Sequence, residues 1–268
     1  MTRYVVCLLF VICGACGAQA VEPRRPTQVT KLFNGRDLDG LKTWLKDTQH
    51  ADHRRVFRVT EGLLHITGDG FGYVGTELPY ADFHLTVEYR WGQKTDGGKY
   101  VRNSGIMLHS TGPDGGAGGT WAASIECQLA QGCVGDLIVI RGQDERGEVI
   151  PVRVTTETEL SPDKKRHRWK AGGELKTFPP ARGQLWWSKH QWDFAELLDT
   201  RGKDDVESPL GEWTKVECLC RGSTLVIKVN GEIVNRCSEV FPAAGRILLQ
   251  SEGFELFVRK FEVQPLGD

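Results

Sequence analysis

The chain has 268 residues, 40% of them hydrophobic, with 34 Lys and Arg against 35 Asp and Glu. That length suits one large β-sandwich or two small domains. A formal net charge of −1 offers no general electrostatic reason to bind nucleic acid or an acidic membrane, so nucleic acid is not expected as a partner.

The first twenty residues read as an export signal. Arg3 supplies a short basic start, Val5 to Ile12 form an apolar run, and Ala18-Gln19-Ala20 matches a small-x-small cleavage pattern. The run is too short for a permanent membrane span, and no later stretch is long enough, so no transmembrane segment is expected in the mature chain. Export to a periplasmic or extracellular location follows. Ala15-Cys16 offers a competing lipoprotein site, disfavoured because Cys13 stands where a bulky aliphatic residue is normally required. Residues 21–29 read as an N-terminal linker. Residues 30–268 read as one β-sandwich domain with a long inserted loop at about 155–208.

Helical periodicity is scarce beyond the leader. Leu63–Thr67, Phe83–Trp91, Gly105–His109, Ser124–Leu129 and Leu137–Arg141 read as strands. Leu225–Val229, Asn230-Gly231 and Glu232–Asn235 form a hairpin with a strong two-residue turn signal. Many short strands without intervening helices predict an all-β, antiparallel sandwich of jelly-roll type. Two glycine-rich segments, 93–100 and 112–119, are expected to cross the sheet rim. The stretch from Thr155 to Ser208 mixes charge, proline and tryptophan. Its basic run Lys164-Lys165-Arg166-His167-Arg168 reads as a solvated loop. Its indoles, Trp187 among them, are candidates for stacking on sugar faces, as is Trp121.

Five cysteines follow the leader: Cys127, Cys133, Cys218, Cys220 and Cys237. Cys220 and Cys237 fall on outer strands of a meander, about 9.6 Å apart and beyond disulfide reach. Cys127 to Cys133 across a short hairpin stays open. With no zinc-like paired spacing, most read as buried thiols.

Alternate side chains of a strand face opposite sides. In Ser124–Leu129, Glu126 and Gln128 therefore share a face opposite Ile125, Cys127 and Leu129. In Gly245–Gly253, Gln250 and Glu252 stand opposite Ile247 and Leu249. Glu88 and Arg90 share a face in the same way, either extending a polar floor or lying on an exposed sheet surface. A sheet face lined with carboxylates and amides suits a polar ligand, with carbohydrate the expected partner.

Several segments together resemble the 3-keto-disaccharide hydrolase family. They are the opening Leu32–Leu41 with Trp44, Asn103-Ser104-Gly105-Ile106-Met107-Leu108-His109, Ser124–Leu129, Gly211-Glu212-Trp213, the Asn230-Gly231 hairpin, and Ile247–Gly253. The resemblance implies a concanavalin A-like jelly-roll sandwich of two antiparallel sheets. It also implies action on glycosides whose C3 hydroxyl is already a ketone, by 1,2-elimination, by hydration of the resulting 2-hydroxyglucal, or by both as a net hydrolysis. His109 stands where many relatives carry arginine, and the insertion is longer than a minimal member needs.

A C3 ketone makes the C2 hydrogen acidic, so one base near C2, donors at the C3 oxygen and a donor near the leaving oxygen suffice. Glu126 is the first candidate for the base and His109 the second. Asn103, Gln128, Gln250, Glu252, Arg90, Glu88, Trp121 and Trp187 are the expected substrate contacts. No cofactor is required, although a divalent metal held by Glu126, His109 and Glu252 would serve the ketone oxygen. The competing readings are a non-catalytic lectin-like module and an exported scaffold. The oligomeric state is not legible.

Overall fold

The computed structural model describes residues 21–178 and 183–267. The expected leader and Cys16 lie outside the described residues. Among the described residues there is no helix, and none is therefore long and apolar enough to cross a membrane. The strands in chain order begin with β1 (Thr30–Lys31), β2 (Leu41–Leu45), β3 (Phe57–Thr60), β4 (Leu63–Ile66), β5 (Phe71–Thr76) and β6 (Tyr80–Ala81). Next come β7 (Phe83–Trp91), β8 (Gly105–Thr111), β9 (Ala123–Gln128), β10 (Leu137–Ile140), β11 (Arg153–Leu160) and β12 (His167–Trp169). The last are β13 (Glu174–Phe178), β14 (Gln184–Trp186), β15 (Thr214–Arg221), β16 (Thr224–Val229), β17 (Glu232–Phe241), β18 (Ala244–Glu252) and β19 (Leu256–Pro265).

These strands build the expected two-sheet jelly-roll sandwich. The back sheet runs β3-β4-β19-β7-β15-β16-β17, with β1 also on β19. The front sheet runs β2-β5-β18-β8-β9-β10-β14-β12-β11-β13. All these pairings are antiparallel except β12 with β14. The far half of β17 pairs with β11 and so joins the two sheets.

Alternation decides which side chains fill the space between them. Phe83, Leu85, Val87 and Tyr89 of β7 point inward, as do Ile125 and Cys127 of β9 and Ile247 and Leu249 of β18, all buried in one core. Each such aliphatic or aromatic group contributes about 1.5–3 kcal/mol by leaving water. The five cysteines among the described residues are all free and buried. Cys220 and Cys237 both register on Leu225, which puts them two strand spacings apart.

The segment 155–208 is not simply a loop: β11 to β14 lie largely within it and extend the front sheet. In the run Val154-Thr155-Thr156-Glu157-Thr158 every residue but Glu157 is β-branched and buried, which favours pleated pairing over a solvated loop. The segment is tied down through Asp136, a fully buried carboxylate between β9 and β10. It accepts hydrogen bonds from the Trp187 amide (2.7 Å), the Gln184 side chain (2.9 Å) and His190 Nδ1 (3.1 Å). A second anchor is Glu207, whose Oε1 accepts from Tyr89 Oη and Trp91 Nε1, both at 2.7 Å. Burial pushes its pKa up to about 8.

A bulge in β8 shapes one end of the sheet. The register shifts between Leu108 and Thr111, and His109 adopts φ 51°. The facing strand carries Gly245, where a Cβ would lie 2.3 Å from the carbonyl carbon of His109 and 2.5 Å from its oxygen. Both obstructing atoms are backbone, so no rotamer change relieves the clash. Gly245→Ala is expected to cost at least about 3 kcal/mol of unfolding free energy, read from urea denaturation. A loss below about 1 kcal/mol would show that the two strands do not approach this closely.

Candidate active site

The front sheet's outer face is polar where β8, β9 and β18 meet and apolar beside that. Gln128 of β9 registers on Gly105 of β8, and Glu126 registers on Met107 and on Ile138 of β10. Gln250 comes from β18, in register with Tyr73, and Glu252 follows on the same face. Asn103, just before β8, donates its amide to Glu252. Gln250 in turn hydrogen-bonds the carboxylate of Glu126.

Gly105 makes this gathering possible. A Cβ there would lie 2.3 Å from Gln250 Oε1 and 2.4 Å from Glu126 Oε1, so the glycine vacates the space both polar heads occupy. Met107, Tyr73 and Leu248 continue the face as an apolar patch, with Trp44, Trp121 and Ile140 packed against it. Tyr73 Oη donates to Asp114 at 2.7 Å, and Asp114 also binds Arg246 at 2.7 Å, which fixes that edge of the patch.

The electrostatics follow from enclosure. Burial raises Glu126 well above the ordinary carboxylate range, and the charge of Glu252 adds to the shift against the opposing bond from Gln250. Burial likewise lifts Glu252 to about 7, moderated by the Asn103 bond. Two carboxyls that interact in this way titrate as a pair and share one proton over a range of pH. Three buried amide oxygens of the cluster, Asn103 Oδ1, Gln128 Oε1 and Gln250 Oε1, have no hydrogen-bond partner within the protein. Buried acceptors of this kind are costly unless something supplies donors. The arrangement thus offers a base, an acid and a ring of acceptors suited to a polyhydroxylated ligand.

Five of the expected site residues, Glu126, Asn103, Gln128, Gln250 and Glu252, are brought together, and Trp121 lies at the apolar end of the same face. Four are placed elsewhere. His109 does not share the face: the bulge turns its side chain into the inter-sheet core, edge-on to Phe83 with ring centroids 5.7 Å apart. Its Nδ1 lies 2.8 Å from the Pro242 carbonyl, and burial drops its pKa to about 4, so it is neutral and donates that bond. Glu88 and Arg90 lie on the outer face of the back sheet. Glu88 pairs with Arg259 at 2.5 Å, and Arg90 stacks over Trp213 at 4.9 Å. Trp187 is 1% exposed and donates Nε1 to the Gly132 carbonyl, so its ring has no free face.

The metal ligand set expected from Glu126, His109 and Glu252 is consequently not assembled. A different trio is: Cys133, Asp136 and His190 each bring one ligand atom within 4.8 Å of the others. His190 Nδ1 faces Asp136, while Nε2 lies 3.9 Å from Cys133 Sγ. No local signal announced this trio, because Asp136 and His190 are 54 positions apart. Gly105, also missed as a site residue, was legible in principle: it shares its face with Met107.

A jelly-roll sandwich with carboxyls and amides gathered on one sheet face, together with a family match over most of its length, places the chain among carbohydrate-acting proteins. The chain belongs to the 3-keto-alpha-glucoside-1,2-lyase-like domain family, whose profile matches residues 28–264. No curated relative matches it in sequence. Among solved structures it is similar to a candidate glycosyl hydrolase from Parabacteroides distasonis ATCC 8503. That match has a TM-score of 0.50 and 15% identity, covering 90% of this chain and 94% of that one. A β-glucanase from Bacillus licheniformis gives a TM-score of 0.45 and 8% identity, covering 88% and 97%. A carbohydrate binding module from Bacillus subtilis gives 0.41 and 10%, covering 90% and 98%.

Proposed function

We propose that this protein is an exported enzyme that cleaves 3-keto-glycosides by elimination across C1 and C2, followed by hydration. The observation that carries the reading is the clustering of Glu126 and Glu252 with Asn103, Gln128 and Gln250 around Gly105, with Glu126, Gln128 and Gln250 buried. The family match supports the substrate class.

In this scheme Glu126 removes the proton from C2, next to the ketone. The C2–H electrons form the C1–C2 double bond as the C1–oxygen bond breaks, and the departing oxygen takes a proton from Glu252. Amide groups of the cluster hold the enolate oxygen and the neighbouring hydroxyls. Returning water across the double bond restores the 3-keto sugar, so the sum is hydrolysis. The pair holds one proton, which rests on Glu126 because burial and the charge of Glu252 raise it; the productive enzyme form has that proton moved to Glu252, leaving Glu126 ionised. Retaining both protons or losing both stops the reaction, so kcat/KM is bell-shaped in pH, with its maximum near or above neutral because both pKa values are raised. A maximum near pH 4.5, the ordinary carboxylate value, would remove this pair from catalysis.

The test is incubation with 3-keto-trehalose and a 3-keto-β-glucoside in deuterated water, followed by NMR, with and without chelator. Released glucose or aglycone, with deuterium at C2 of the keto sugar, is the expected result, and the chelator arm reads any metal requirement. Absence of turnover for both, together with binding of unoxidised glycans, would replace the enzyme by a lectin-like module.

A further inference from the structure

The basic run from Lys164 to Arg168 is not simply a solvated loop. Lys164, Lys165 and Arg166 line a cavity of about 620 Å³ on the outer face of the front sheet, joined from β13 by Lys176. Ile138 and Ile140 form its floor, and among the described residues no carboxylate lines it. Ile138 is the direct cross-strand neighbour of Glu126. Paired side chains on adjacent strands stand about 5 Å apart, so the cavity begins one side chain away from the carboxyl pair.

Lys164 and Lys176 face this cavity alone, whereas Lys165 and Arg166 also border a neighbouring cavity that carries Asp163, Asp193 and Glu196. The ion pair recorded for Lys165 is with Asp163, at 3.8 Å and on exposed side chains. Such a pair contributes little and leaves the charge available. Lys176 contacts the ring of His167, whose pKa is lowered by burial and by Lys176 itself. His167 therefore acts as a neutral acceptor that positions the ammonium. Arg166 lies 5.3 Å over the ring of Trp186, which borders the neighbouring cavity shared with Lys165 and Trp192, so Arg166 stands on the wall between the two cavities. Trp186 is itself stacked on His190 at 3.8 Å, and His190 is locked by Asp136. The buried anchor under the insertion thus fixes the base of the cationic wall.

We infer that this cavity is an anion subsite: the part of the substrate flanking the cleaved sugar carries a carboxylate, sulfate or phosphate group. This rests on the glycoside-cleaving reading for its biological meaning. Four like charges around one cavity raise the local concentration of anions and are only partly screened where the floor is apolar. A neutral glycan would leave this charge unanswered, whereas an oxyanion receives charge-assisted bonds from lysine and arginine together.

The experiment uses the full mature chain and unoxidised sugars, so it does not depend on the chemistry at C3. Calorimetric affinities are measured for a neutral disaccharide, its uronate, its sulfate ester and its phosphate ester, and for inorganic sulfate. Each is measured at about 10 mM and about 1 M salt, where the Debye length falls from about 30 Å to about 3 Å. At least one anionic disaccharide is expected to bind on the order of tenfold tighter than the neutral one at low salt. The preferred member of the series identifies the anion. The preference is expected to collapse at high salt and in a Lys165→Gln, Lys176→Gln double variant whose melting temperature is unchanged. Equal affinity across the series, or a preference that survives the double substitution, overturns the subsite. Turnover of neutral 3-keto-glycosides without anion preference would keep the enzyme reading and sink only the subsite. Salt-sensitive binding of sulfate, lost in the double variant while no sugar binds, would support the anion pocket and sink the glycoside reading.

Discussion

Glu126→Gln is expected to lower turnover of a 3-keto-glycoside by about 10³-fold while leaving its binding within a few-fold of the parent. Glutamine keeps the shape and accepts the bond from Gln250, but it cannot take the C2 proton. The same variant is expected to be more stable at neutral to alkaline pH. Both carboxyls hold their protons to higher pH in the folded chain than the ordinary value of 4.5, Glu252 to about 7. Native protein therefore binds more protons than unfolded chain above pH 4.5, and stability is lost as pH rises from there through about 7. Removing the ionisable group at position 126 should raise stability at about pH 8 and change it little at about pH 4, where both carboxyls are largely protonated in either state. Thermal melts of the two proteins at both pH values read the difference. Unchanged activity would sink Glu126 as the base, and unchanged stability at pH 8 would sink the enclosed, coupled pair.

Gly105→Ala tests the geometry without touching a titrating group. The new Cβ would sit within 2.4 Å of both Gln250 Oε1 and Glu126 Oε1. These are ends of side chains, so they swing aside while the strands stay paired. The expected outcome is a loss of about 10²-fold in kcat/KM, because a displacement of about 1 Å is enough to spoil proton transfer. The cost in stability should stay within about 2 kcal/mol. Rates measured over a range of substrate concentrations, with parallel denaturation curves, separate the two. Full activity in this variant would mean that the carboxyl and the amide do not converge over Gly105 during catalysis.

The contrast with Gly245→Ala shows how differently two glycines of one sheet are used. At position 245 the obstruction is the backbone of His109, so the fold itself must give way. At position 105 the obstruction is chemistry.

Much of the architecture was legible because strand alternation is a local property. Phe83–Trp91 has the same limits as strand and as reading, and Glu126 and Gln128 stand opposite Ile125 and Cys127 as their parity requires. The limits of this reasoning appear at His109. It lies on the expected strand, but one bulge shifts the parity, and a histidine counted onto the outer face ends in the core beside Phe83. Glu88 and Arg90 were correctly placed opposite Leu85 and Val87. Which sheet β7 would join was not written in its own residues, and joining the back sheet put them on the far side of the molecule.

The insertion shows the same division. Its Val-Thr-Thr-Glu-Thr run carries a strand preference, but charge and tryptophan masked it. Its function as the wall of a cavity depends on Asp136 reaching Trp187 and His190, more than fifty positions away. By itself the sequence determined the all-β class, the polar and apolar sides of each strand, and the family, because these depend on neighbouring residues and short motifs. Only the tertiary structure decided which polar faces meet, which glycine leaves room for them, and which carboxyls are enclosed enough to share a proton. Those properties depend on distance and burial, which arise between strands far apart in the chain.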